Sequence, residues 1–226
     1  MRIITGKENI RQNLSSILQD ESQYHCGTPE KVFFPESSQD LQFILKEANS
    51  KVIPVVFIGA QTGTTGGAVP IEDCIAVCFS SMNRINSIKW HGDTPVLYCD
   101  PGVTLISINQ FLQSPQSWPY HVEGVESIQG TRYMYPPDPT EYSAQLGGTV
   151  ATNASGARSF RFGPTRNFVS ALDIVMATGE KLEIFRGAII SHDNCFEMTT
   201  DLGRTIQVPS PTFTMPQTKN ASGYFS

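Results

Sequence analysis

The run Gly59-Ala60-Gln61-Thr62-Gly63-Thr64-Thr65-Gly66-Gly67 follows Val52-Ile53-Pro54-Val55-Val56-Phe57-Ile58. The apolar, β-branched stretch reads as a buried strand that empties into a loop of glycine and threonine. Glycine has no Cβ to hold a ligand off, and it tolerates φ > 0. Successive backbone N–H groups in such a loop make a concavity for an anion, and threonine hydroxyls add donors. The loop holds no lysine or arginine, so a pyrophosphate there would be held by neutral donors. Spacing excludes two other phosphate loops. A P-loop needs Gly-x4-Gly-Lys-Ser/Thr, and no lysine follows these glycines. A Gly-x-Gly-x-x-Gly fingerprint needs a helix to open at once, whereas Ala68-Val69-Pro70 follows here. Taken alone, the loop is read equally well as a surface turn.

Working outward, Ile10, Leu14, Ile17 and Leu18 recur at helical spacing. Lys31-Val32-Phe33-Phe34 is a short strand, and Ser37-x-x-Asp40 opens a helix whose apolar face is Leu41, Ile44, Leu45 and Ala48. A strand over 74–79 follows the glycine loop. Strand, helix and strand in that order imply a small α/β unit with a parallel pair. Residues 85–90 and 96–99 read as strands flanking the turn His91-Gly92-Asp93-Thr94-Pro95. Pro101-Gly102-Val103 is a tight turn. Leu105, Ile108 and Leu112 mark a helix to about residue 113, and 114–142 is irregular and rich in proline. Strands at 172–176 and 182–185 form a hairpin across 177–181.

The 226 residues suit one large domain or two small ones, and charged residues are only 16%, against about 25% in typical proteins. A formal net charge of −5 with no basic block argues against nucleic acid or an anionic membrane as partner. Cys26, Cys74, Cys78, Cys99 and Cys195 show no disulfide framework, and the histidines show no metal-ligand spacing. No metal is expected. The first residues lack a signal-peptide core, and no stretch approaches the roughly 20 apolar residues of a membrane span. A cytoplasmic, reduced protein is the simplest expectation.

The second dense signal is Tyr135-Pro136-Pro137-Asp138-Pro139 followed by Leu146-Gly147-Gly148-Thr149-Val150-Ala151-Thr152-Asn153-Ala154-Ser155-Gly156. Small residues from 147 to 156 suit either a packed bend or close backbone approach to something flat or anionic. Together the two signals resemble the flavin domain of the vanillyl-alcohol oxidase and para-cresol methylhydroxylase superfamily, in its glycolate oxidase and D-lactate dehydrogenase branch. Ser81-Met82-Asn83-Arg84-Ile85, Asp100-Pro101-Gly102-Val103, Arg161-Phe162-Gly163-Pro164-Thr165 and Lys219-Asn220-Ala221-Ser222-Gly223-Tyr224 resemble further family segments, in order. The resemblance covers roughly residues 25–226.

The resemblance implies an α+β, two-lobed FAD domain. A small α/β lobe would span 1–95 and a more antiparallel β lobe 96–226, with FAD between them. Gly59, Gln61, Thr62, Gly63, Thr64, Thr65, Gly66 and Gly67 would hold the pyrophosphate. Pro136, Pro137, Asp138, Gly147, Gly148, Thr152, Asn153 and Gly156 would line the flavin and ribityl chain. Arg161 or Arg166 would face the phosphates or a substrate carboxylate, or else form surface salt bridges. The family often has Arg-Gly-Gly-Gly-Thr-Gly where this chain has Ile58-Gly59-Ala60-Gln61-Thr62-Gly63. The loop has no histidine, so FAD would be bound non-covalently. The family's Gly-Ser-Glu-Gly-Thr-Leu-Gly motif and cap domain have no counterpart before Ser226. The expectation is an amino-terminal portion of the usual enzyme.

The activity implied is oxidation of a small 2-hydroxy acid, with a partner chain supplying the cap. The alternative is a non-catalytic remnant, or a subunit inactive without its partner. The reductase of cell-wall precursor synthesis uses a similar FAD domain but needs a catalytic region not found here. No catalytic residue is assigned, since the family draws those groups largely from the cap. Gly66→Val and Gly148→Val are both expected to lose flavin and stay soluble.

Overall fold

Ser37 caps the helix that the sequence marks most clearly, its hydroxyl accepting from the Asp40 N–H at 3.2 Å. The computed structural model describes residues 1–137, 140–212, 214, 217, 218 and 223. The strands are β1 (Arg2–Thr5), β2 (Lys31–Phe34), β3 (Val55–Ile58), β4 (Ile75–Cys78), β5 (Ile85–His91), β6 (Thr94–Cys99), β7 (Ala171–Val175), β8 (Lys181–Phe185), β9 (Cys195–Thr199) and β10 (Thr205–Pro209). The helices are α1 (Lys7–Asn13), α2 (Ser38–Ser50), α3 (Leu105–Gln113), α4 (Leu146–Ala151) and α5 (Ser159–Phe162). The architecture is α+β.

Four strands form one sheet in the order β1-β2-β4-β3, with β4 parallel to both β2 and β3 and β1 antiparallel to β2. Alternation along β2 and β4 divides the core in two. Val32, Phe34, Ala76 and Cys78 pack with Ile10, Ile17, Leu18 and Ile58, while Phe33, Ile75 and Val77 pack with Leu41, Ile44 and Ala48 of α2. Each fully buried leucine or isoleucine here contributes about 1.5–3 kcal/mol. A third cluster of Ile85, Ile88, Val103, Leu105, Ile108, Phe111, Val122, Ile128 and Ala144 lies beyond Met82. The hairpin β5–β6 starts at that boundary, and its two strands pair across a turn at Gly92-Asp93.

Three sequence expectations change. The helix expected through Leu18 stops at Asn13; Leu14 takes φ −137° and a 3-10 turn carries Ser15–Leu18. Ser15 and Ser16 are weak helix formers, and burial of Ile17 and Leu18 decides the local path. The strand read over 52–58 begins at Val55. Val52 has φ +55° and is 89% exposed, and β3 lies at the sheet edge, so of its residues only Ile58 is buried. The strands β1, β9 and β10 had no counterpart in the sequence reading.

The last two hairpins return to α2. Gln42 Nε2 donates to Gly179 O at 3.0 Å and to Asp201 Oδ2 at 2.9 Å, and Val175 packs against the α2 cluster. Between β8 and β10, the buried Glu180 carboxylate accepts from Arg204 Nε at 2.9 and 3.0 Å and from its Nη2, and from the Thr178 and Thr200 hydroxyls at 2.8 and 3.0 Å. The Arg204 hydrogen bonds, then that from Thr178, hold Glu180 down to about 2 from 4.5. A depressed carboxylate stabilises the fold above its unfolded value, and that stabilisation is lost as pH falls through the folded value. Urea unfolding followed against pH should therefore weaken between about pH 4.5 and 2. Glu180→Gln should remove that part of the slope, and an identical slope in the variant would contradict the assignment.

Candidate cofactor site

Ile58 buries the end of β3, and the chain then opens into the glycine loop. Residues 19–24 back this loop. Gln61, at φ +58°, accepts from the Glu21 N–H at 3.2 Å through its carbonyl, and its Nε2 donates to Gln19 O at 2.6 Å. The Gln61 side chain therefore anchors the loop from behind. Gly66, at φ +76°, packs on Tyr24: an added Cβ would lie 3.2 Å from Cδ2. Among the described residues, the N–H groups of Thr62 to Gly67 donate to no carbonyl, and the hydroxyls of Thr62, Thr64 and Thr65 make no hydrogen bond. Gly63, Thr64, Thr65 and Gly67 are exposed. A run of unused neutral donors on an uncharged loop is an anion cradle.

The second wall hangs on the Pro101-Gly102-Val103 turn. Gly147 N–H donates to Pro101 O and Leu146 N–H to Val103 O, both at 2.8 Å, and Gly102 N–H donates to Met82 O at 2.7 Å. The small-residue run is the helix α4 and the bend after it. Its two glycines do different work. A Cβ at Gly147 would lie 2.7 Å from Pro101 Cβ, whereas at Gly148, among the described residues, it would meet nothing within 4 Å. Gly148 thus leaves bare backbone facing open space. Thr152 Oγ1 donates to Gly148 O at 2.9 Å, so its proton is used within the helix. Asn153, at φ +47° and 2% exposed, accepts from the Arg166 N–H at 3.0 Å. Gly156 N–H donates to Ser159 Oγ at 2.8 Å. Asn153 and Gly156 therefore brace the wall. Pro137 is buried and Pro136 half-buried, while Asp138 lies outside the described residues, as does most of the 219–224 segment. Arg161 is exposed and, with Met134, Ala157, Arg158 and Phe162, lines an open groove of about 460 Å³ beyond Gly156.

The two walls meet at Gly59, where an added Cβ would lie 3.4 Å from Gln145 Oε1. Among the described residues that oxygen is buried without a partner, and so is Asp20 Oδ2, which lies 3.9 Å from the Cβ position of Gly63. Buried polar atoms are normally paired, and leaving one unpaired costs about 1–3 kcal/mol. Here two orphaned acceptors flank the one loop. The sequence reading missed both. Gln145 was discoverable as the polar residue immediately before Leu146-Gly147-Gly148, whereas nothing in Asp20-Glu21-Ser22 distinguishes Asp20 from an ordinary turn residue.

Beneath the second wall, burial pushes the Cys99 thiol and the Tyr135 phenol each up to about 12, so both stay protonated at neutral pH. Neither supplies a nucleophile or a base. Among the described residues, no group of three or more His, Cys, Asp and Glu side chains stands close enough to hold a metal ion, and no helix is long and apolar enough to cross a membrane.

The model of the FAD binding domain family matches residues 29–130 and 123–184, and the chain belongs to that family. A D-lactate dehydrogenase of Anaerostipes hadrus is 34% identical over 168 residues, covering 74% of this chain and 31% of the relative. The glycolate oxidase subunit GlcD of Bacillus subtilis is 25% identical, covering 78% and 35% respectively. The fold is also that of 6-hydroxy-D-nicotine oxidase from Arthrobacter nicotinovorans, at a TM-score of 0.63 and 12% identity, over 83% of this chain and 36% of that one. The chain spans about a third of the length of the curated relatives it matches. The resemblance read from the glycine loop and the small-residue run is thus correct at the level of family, para-cresol methylhydroxylase-type fold and cofactor: the domain binds FAD.

Proposed function

We propose that this chain is the FAD-binding portion of a flavin-dependent oxidoreductase that acts on a small 2-hydroxy acid. The observation that carries the reading is the meeting of two walls at Gly59 and Gln145, one of unused N–H donors and one of bare glycine backbone. Thr62, Gly63, Thr64, Thr65, Gly66 and Gly67 hold the pyrophosphate through neutral donors, with Gly59 and Gln61 shaping the loop. Gly147, Gly148, Thr152, Asn153 and Gly156 form the flavin wall with Pro136 and Pro137, and Arg161 stands at its outer end as an exposed cation. Two lobes, 1–95 and 96–226, clasp the cofactor, and the β5–β6 hairpin bridges them. FAD, when bound, supplies the acceptor for a hydride from the carbinol carbon. The loop carries no histidine, which supports non-covalent attachment. A partner chain supplying the cap completes the substrate pocket. Five free thiols fit a reducing, cytoplasmic compartment.

The test is the visible spectrum of the chain after incubation with FAD and desalting. Retained bands near roughly 370 and 450 nm are expected, and their bleaching by a 2-hydroxy acid marks an oxidoreductase. Retained flavin that no acid bleaches, even with the partner present, identifies a carrier subunit instead. A colourless protein overturns the proposal for the isolated chain.

A further inference from the structure

Beyond Gly156 the flavin wall opens into the groove lined by Met134, Ala157, Arg158, Arg161 and Phe162. The groove adjoins that wall twice in sequence: Ala157 follows Gly156, and Met134 lies two residues before Pro136. Arg158 and Arg161 are three residues apart at α5, a spacing that puts both on one side of the helical turn. Both are exposed. The Arg161 guanidinium lies 5.2 Å from the centroid of the Phe162 ring, which holds it along the groove wall. Residues 142–172 contain three arginines and no lysine, aspartate or glutamate, in a chain of formal net charge −5. That stretch carries a formal charge of +3 where the chain as a whole carries −5. A guanidinium presents a planar fork that matches a carboxylate, and two of them above Met134 and Phe162 suit a short acid with an apolar stem.

We propose that this groove is a carboxylate site, which takes the acid end of a small organic acid at the edge of the flavin wall. The inference depends on the proposed function for the identity of the acid. The site itself stands on the two arginines and the groove. Oxalate is the probe, because it has a carboxylate at each end and no C–H from which a hydride could leave.

Oxalate binding is read by calorimetry on the flavin-free chain and by perturbation of the flavin bands on the FAD-loaded chain. Arg158→Gln and Arg161→Gln should each weaken oxalate binding about tenfold, and the double variant further. Arg158→Gln should change FAD affinity by less than about threefold. Arg161→Lys keeps the charge but loses the fork, so it should fall between wild type and Arg161→Gln. Unchanged oxalate binding in the double variant overturns the proposal, and so does failure of the wild-type chain to bind oxalate. Loss of FAD affinity with oxalate binding intact also overturns it and assigns the guanidiniums to the pyrophosphate. Should FAD not bind at all, the flavin reading fails, and calorimetry on the flavin-free chain still decides the carboxylate site.

Discussion

Gly148→Val is expected to weaken FAD binding at least about 100-fold, or about 2.7 kcal/mol, while leaving the fold intact. The two halves of that expectation have separate causes. A Cβ at position 148 meets no atom of the described residues within 4 Å outside its own helix, so the empty chain has room there. Valine is also a slightly better helix residue than glycine, so α4 loses nothing by the change. The thermal midpoint should stay within about 2 °C of wild type. The open space beside Gly148 is where a flat ring has to lie if the small-residue run faces the flavin. Two branched methyl groups there would hold the ring off its wall. Fluorescence titration with FAD, run beside a thermal melt, reads both quantities. Wild-type affinity in a stable Gly148→Val chain would falsify the placement of the flavin against α4.

Gly66→Val is not an equivalent experiment, although the sequence makes the two glycines look alike. Gly66 has φ +76°, where a branched side chain is strained, and its Cβ position already touches Tyr24. Flavin lost from that variant would report a distorted loop as readily as a blocked phosphate site. Gly147 differs again, since its missing side chain makes room for Pro101.

These three glycines show where sequence reading stops. Composition and order were enough to single out both segments as candidates to face a ligand, because a run without side chains is rare and has few uses. Which glycine has space at its Cβ position depends on atoms far away in sequence, on Pro101 for Gly147 and on Tyr24 for Gly66, and no local pattern encodes them. The elements follow the same division. The helix α2 was legible down to its cap because its apolar residues repeat on one face and Ser37 precedes them. The strand β4 was legible because it is buried on both faces and so is uniformly apolar. By contrast β1 and β10 are both largely exposed, and their place in sheets rests on backbone pairing that alternation barely records. Asp20 is the extreme case. Its role as an orphaned acceptor arises only when the 19–24 turn and the glycine loop fold against each other.

Gly102→Ala should differ from Gly148→Val by losing stability and flavin together. A Cβ at position 102 would lie 2.1 Å from Phe79 O and 2.5 Å from Met82 O. Both are backbone atoms, so neither can rotate away, and the turn itself has to move. Forcing a methyl group into such a space costs about 3 kcal/mol, at the upper end of overpacking. The displacement does not stay local. The turn accepts Gly147 N–H at Pro101 O and Leu146 N–H at Val103 O, so shifting it shifts the seat of α4 and with it the Gly148 surface. Urea unfolding should show the loss of stability, and FAD titration on the fraction that remains folded should show weakened binding. The pair of variants therefore separates contact from placement: Gly148→Val removes the contact from a wall still in place, whereas Gly102→Ala moves a wall whose contacting atoms are unchanged. A Gly102→Ala chain that is destabilised but binds FAD normally when folded would mean that the flavin takes its bearings from the glycine loop, and that the Pro101–Val103 turn serves the core alone.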